Sequence, residues 1–141
     1  MRTHFRLAGW LFLFAAVLVG YAQEQPVEPP PAVTSTLVIE EGVICTGVED
    51  RVPLGASETF PPDVGRLYCF TKIVGASSDM VVKHLWYRED GLLHTQELAV
   101  GGSPWRTWSN KTITPDMSGA WKVEIRDGDD NLITTLKFTV Q

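Results

Sequence analysis

Trp121-Lys122-Val123-Glu124-Ile125-Arg126 and, beyond the polar stretch from Asp127 to Asn131, Leu136-Lys137-Phe138-Thr139-Val140 decide the fold. In both segments apolar and polar side chains alternate, the period of a strand with one buried face. With a loop at Gly128 to Asn131, Trp121 lies opposite Phe138, Val123 opposite Leu136 and Ile125 opposite Thr134. The apolar sets then share one face, and a one-residue slip would turn one set away from the other.

Working outward, the same period and the turn residues between runs predict seven strands, with no amphipathic stretch of helix length. They are Leu37 to Gly47, Arg66 to Val74, Val81 to Arg88, Leu92 to Val100, Trp105 to Thr112, Ala120 to Asp127 and Leu132 to Val140. Short strands at this spacing indicate an all-β, Ig-like antiparallel β-sandwich. Asp90-Gly91 suits a tight hairpin turn, and a loop there sets Trp86 opposite Thr95 and His84 opposite Glu97. By the same arithmetic a connection centred near Ser57 brings Cys45 opposite Cys69.

The chain opens with Arg2 and Arg6 and an uncharged apolar run from Leu7 to Gly20, ending on small residues at Gly20-Tyr21-Ala22. This is the pattern of a signal peptide cleaved after Ala22, the run being short for a transmembrane helix, and the alternative is an uncleaved N-terminal anchor. Residues 23–35 carry four of the nine prolines and form an extended spacer, which leaves residues 36–141 as one domain. The expected location is periplasmic or secreted, with no membrane insertion after cleavage. There Cys45 and Cys69 are expected to form a disulfide, the alternative being two buried free thiols.

The leader holds two of the twelve basic residues and none of the 17 acidic ones, so the domain is more negative than the −5 of the whole chain. No cluster of Lys and Arg is present to track a phosphate backbone, which argues against nucleic acid. Neither cysteine belongs to a zinc-type pair, so no metal and no cofactor are expected. Asp127, Asp129 and Asn131 imitate the start of a calcium loop, but Leu132 and Phe138 stand where glycine and glutamate are required. They read as a polar turn. Asn110-Lys111-Thr112 is a formal glycosylation sequon.

Three of the five tryptophans fall in His84-Leu85-Trp86-Tyr87 and Trp105-Arg106-Thr107-Trp108-Ser109. Rings beside directed polar groups suit stacking on sugars or gripping a peptide, and Arg106 among rings allows cation–π contact. The candidate binding residues are Trp105, Arg106, Trp108, His84 and Trp86. The competing reading places Trp86 and Trp108 in the core with Arg106 covering an edge or holding a loop carboxylate; core is favoured for Trp86 and Trp121, with Trp105 and Arg106 balanced between a surface site and a clamp. Catalytic material is thin: no Gly-x-Ser-x-Gly elbow accompanies His84 or His94, and only a His84–Glu97 pair in a cleft would support a hydrolase. No catalytic residue is assigned, and the chain is expected not to be an enzyme.

Cys45 with Arg51-Val52-Pro53, Phe70-Thr71-Lys72, His84-Leu85-Trp86-Tyr87, Trp105-Arg106-Thr107-Trp108-Ser109, Gly119-Ala120-Trp121-Lys122-Val123 and Phe138-Thr139-Val140 occur in this order. Over about residues 45–140 the chain thereby resembles the bacterial domain of unknown function 2914 family. The resemblance implies an exported or membrane-attached bacterial β module and supplies no activity. The expected function is an exported, non-catalytic module that binds a glycan or peptide through its aromatic and Arg surface. The alternative is a structural or assembly component docking an envelope protein by strand addition.

Overall fold

The computed structural model describes residues 35–141. The expected signal peptide (residues 1–22) and all of the spacer except Ser35 lie outside the described residues. Ten strands follow in order: β1 Val38–Cys45, β2 Gly47–Glu49, β3 Val52–Leu54, β4 Thr59–Phe60, β5 Gly65–Val74, β6 Met80–Arg88, β7 Gly91–Val100, β8 Trp105–Ile113, β9 Gly119–Asp127 and β10 Leu132–Val140. Apart from the one-turn 3-10 segment Pro115–Met117, the domain is β structure. Among the described residues no helix is long and apolar enough to cross a membrane.

The seven long strands coincide with the seven expected. The three short ones lie in the segment that sequence left as one strand end and a long loop. β1-β5-β8 form one sheet, β4-β10-β9-β6-β7 a second, and β2-β3 a separate ribbon. All pairings are antiparallel except β4 with β10.

The hairpin β9–β10 has the expected register: Trp121 faces Phe138, Val123 faces Leu136 and Ile125 faces Thr134, with a bulge between Leu132 and Thr134. Trp121, Val123 and Ile125 are buried while Lys122, Glu124 and Arg126 are only half-buried, so the alternation is realised residue by residue. Burying each such apolar side chain contributes about 1.5–3 kcal/mol. Phe138 gathers the aromatic core: Trp121 stacks on it at 5.7 Å, and Trp86 and Phe60 meet it edge-on at 6.2 and 6.0 Å.

The second hairpin departs from expectation. The β6–β7 turn is Glu89-Asp90 with Glu89 at φ 54°, Arg88 pairs with Gly91, and a bulge between Trp86 and Tyr87 shifts the rest. Trp86 therefore faces His94 and His84 faces Gln96, instead of Thr95 and Glu97. The reason is tertiary: the amide of Glu89 donates to the Ala120 carbonyl at 2.7 Å, so the neighbouring β9 fixes where the chain turns. With Trp86 opposite His94, the side chains of His84 and His94 share the inner face, whereas the expected register would set them on opposite faces.

The cysteine pairing is corrected as well. Ile44 faces Cys69 and Cys45 faces Tyr68, so the two cysteines point to opposite faces of the sheet. Both are free buried thiols. Cys69 lies in the main core between the sheets; Cys45 and Phe70 are fully buried outside that core, beside the β2–β3 ribbon. Opposed Cβ directions leave no route to a disulfide without moving a strand. Burial pushes both thiols up from their ordinary pKa.

Candidate functional site

Two groups of polar residues adjoin β8, one inside the domain and one at its surface. The inner group begins at Trp86, whose indole Nε1 donates to Ser109 Oγ at 3.0 Å. Ser109 Oγ lies 2.7 Å from His84 Nδ1, His84 Nε2 lies 3.4 Å from Thr71 Oγ1, and Thr71 Oγ1 donates to the Thr107 carbonyl at 3.1 Å. An indole N–H only donates and a carbonyl only accepts, so the ends give the chain one direction. Ser109 donates to Nδ1, and His84 is neutral with its proton on Nε2. Every link crosses between, or runs within, the two sheets.

His84 and Trp86 are fully buried. This corrects their place among the candidate binding residues: both belong to the interior and neither offers a face to a ligand. Burial lowers the His84 pKa to about 4, so the ring is neutral at physiological pH. The His84–Glu97 pair does not form: Glu97 has 69% of its side chain exposed and lies 4.0 Å from Lys83 Nζ on the opposite face. Ser109 beside His84 resembles part of a nucleophile–base set, but the relay ends on a carbonyl rather than a carboxylate, and Ser109 is 3% exposed.

The outer group is different. Trp105, Arg106, Thr107 and Trp108 line a groove of about 390 Å³ together with Pro104, Ala99 of β7 and Arg51. Period two sends Trp105 and Trp108 to opposite faces of β8, so the groove wraps the strand's free edge: β8 pairs with β5 alone. Each indole is backed on one side. Trp108 stacks on Phe70, its partner across β5 and β8, with centroids 6.4 Å apart and ring planes 16° from parallel. Trp105 lies over Gly101, where an added Cβ would come within 3.2 Å of the ring. Both remain partly open, Trp105 at 38% and Trp108 at 36% exposure.

Arg51 comes from the tip of the β2–β3 ribbon. Its turn, Asp50-Arg51, holds both residues at positive φ, 49° and 60°, in a position that favours Asn-Gly. Arg51 and Arg106 form no ion pair among the described residues, and no acidic residue lines the groove. Lys72, Lys83, Lys122 and Arg126, by contrast, each meet a carboxylate.

Elsewhere, Asp127 turns its carboxylate onto its own loop. Its Oδ1 accepts from the amides of Asp129 and Asn131 at 3.0 and 2.9 Å, and Asn131 Nδ2 donates to both oxygens. Burial alone would raise the Asp127 pKa, but these hydrogen bonds hold it below the usual range. The calcium-like spacing is thus a closed turn. Among the described residues no three His, Cys, Asp or Glu side chains converge as a metal site would require.

With this geometry in place the comparison with known proteins concerns β6 through β10. Residues 79–140 match the family described as protein of unknown function, DUF2914. The matched segment contains His84, Trp86, Trp105, Arg106, Trp108 and Ser109, whereas Arg51, Cys45, Cys69 and Phe70 precede it. No curated protein matches the chain. Among solved structures, the crystal structure of a Se-Met labelled beta-glucosidase from Kluyveromyces marxianus is similar over 74% of this chain and 14% of that one, at 10% identity and a TM-score of 0.39. The chain spans so small a part of that enzyme, at so low a score, that the likeness carries nothing about activity.

The expected surface residues Trp105, Arg106 and Trp108 meet in one groove. Sequence reasoning missed Arg51, Ser109 and Thr71. Ser109 and Thr71 were legible only through the β5–β8 register, and Arg51 only through a ribbon hidden in an irregular loop.

Proposed function

We propose that the domain is a non-catalytic binding module that takes a glycan or peptide in the groove of Trp105, Arg106 and Trp108. One observation carries this reading: two indoles, each pinned on one side by Gly101 or Phe70 and open on the other, flank unpaired guanidinium groups in a single groove. Rings fixed before binding lose little freedom when a ligand stacks on them, so their apolar area goes into affinity. Replacing Trp105 and Arg106 together with alanine should abolish retention on cell-wall or polysaccharide material while leaving the melting temperature nearly unchanged. Unaltered retention would end the reading.

The wider setting is part of the same proposal. A leader over residues 1–22 and a Pro-rich spacer over 23–35 would deliver the domain to the periplasm or the exterior. The strand order β1-β5-β8 against β4-β10-β9-β6-β7, with β4 parallel to β10, supports an Ig-like sandwich in which β6, β9 and β10 play the parts of strands C, F and G.

A second reading, docking of an envelope protein by strand addition, is favoured by the position of β7 and β8. Each ends its sheet and pairs on one side only, leaving main-chain edges for a partner strand. Cross-linking in cells followed by pull-down separates the two, since one stoichiometric protein partner supports assembly and its absence supports the groove.

A further inference from the structure

We infer, resting on the groove reading above, that the ligand is an acidic glycan whose carboxylates are recognised by Arg51 and Arg106. The domain carries more acid than base, yet this groove holds two guanidinium groups and no acidic lining residue. Four of the ten Lys and Arg side chains among the described residues meet a carboxylate, and neither groove arginine is one of them. Two guanidinium groups with no acid beside them attract anions to this groove, so the charge of the ligand becomes a criterion of entry.

The backbone at Arg51 supplies an independent argument. Asp50 and Arg51 occupy a turn that glycine would fill without strain, at φ 49° and 60°, and no ion pair or stacking partner among the described residues offsets the arginine's unfavourable conformation. Strain of this kind at an unpaired charged residue points to a use for the side chain. The planar guanidinium matches a carboxylate through two parallel N–H donors. The two fixed indoles match the flat C–H faces of pyranose rings, which favours a uronate-containing saccharide over an acidic peptide.

The test follows tryptophan fluorescence of the purified protein during titration with oligosaccharides of galacturonate, hyaluronan and alginate. The methyl ester of the galacturonate oligomer, a neutral cello-oligosaccharide and an oligoglutamate peptide are run alongside. At least one acidic saccharide should saturate the signal, bind about tenfold more tightly than its ester or the neutral sugar, and weaken in high salt. Arg51→Gly should lose about tenfold in affinity for the acid and nothing for the ester, with a melting temperature unchanged or higher because glycine accepts φ 60° freely.

Equal binding of ester and acid, an unaffected Arg51→Gly variant, or a lower melting temperature in that variant overturns the inference. So does binding of the peptide alone. In each of these cases the groove reading survives as long as Trp105→Ala abolishes the binding seen. Silence from every saccharide and the peptide overturns both.

Discussion

His84 Nδ1 lies 2.7 Å from Ser109 Oγ, joining β6 of the five-stranded sheet to β8 of the three-stranded sheet through the centre of the core. Ser109 serves two partners at once, since its oxygen also accepts from Trp86 Nε1. Every buried side-chain nitrogen and oxygen among the described residues is partnered, and this relay is the reason at the centre.

Ser109→Ala removes both bonds and leaves an imidazole nitrogen and an indole N–H without partners. An unsatisfied buried group costs about 1–3 kcal/mol, so a loss of about 2–4 kcal/mol is expected in urea unfolding. Thr71→Val should cost less, because the His84–Thr71 contact is longer at 3.4 Å. A loss below about 0.5 kcal/mol for Ser109→Ala would show that the relay does not form.

The stability of the domain should fall on mild acidification. Unfolded His84 binds a proton below about pH 6.5, and folded His84 only below about 4. Between those values the unfolded chain holds more protons, so stability is complete above 6.5 and declines as pH drops, by up to about 3 kcal/mol. Glu124 and Asp127, held below their usual pKa values, withdraw their contributions only at lower pH. Urea midpoints measured from pH 7.5 to 4.5 check this; a flat profile would contradict a buried neutral His84.

Phe138 touches three other rings, so Phe138→Ala should cost about 3–5 kcal/mol by opening a cavity that the sheets cannot close. Thermal or urea unfolding measures it, and a cost near 1 kcal/mol would place Phe138 outside the core.

Two thiols should be titratable after unfolding and almost none before, since Cys45 and Cys69 are both fully buried with raised pKa values. Alkylation followed by intact mass analysis reads this directly. An intramolecular disulfide in the native protein would mean that the β1–β5 register differs from Ile44 facing Cys69.

Gly101→Ala should disturb the groove more than the fold. The new methyl group would press on Trp105 Cη2 and Cζ3 at 3.2 and 3.3 Å, so the ring must move. A changed near-ultraviolet dichroism signal and about fivefold weaker ligand retention are expected, with stability altered by less than about 1 kcal/mol. An unchanged spectrum would show that Trp105 is not held by Gly101.

The residues themselves determined the all-β character and the β9–β10 register, because the polar loop at Gly128 to Asn131 sets the alignment and a one-residue slip would turn Trp121, Val123 and Ile125 away from Leu136 and Phe138. They also marked Trp105, Arg106 and Trp108, since aromatic and guanidinium side chains concentrated in five residues are visible without a fold. Tertiary structure decided what local pattern left degenerate. Both faces of β6 and β7 are mixed, so the Glu89 amide bonding to Ala120 chose the turn, and the one-residue shift set Gln96 in place of Glu97 opposite His84, while packing of the two sheets brought His84 onto Ser109. The same parity separated Cys45 from Cys69, and a short ribbon with no periodic signal brought Arg51 to the groove. Side-chain direction alternates at every residue, so a pairing set by a distant strand reassigns partners that no local reading can fix.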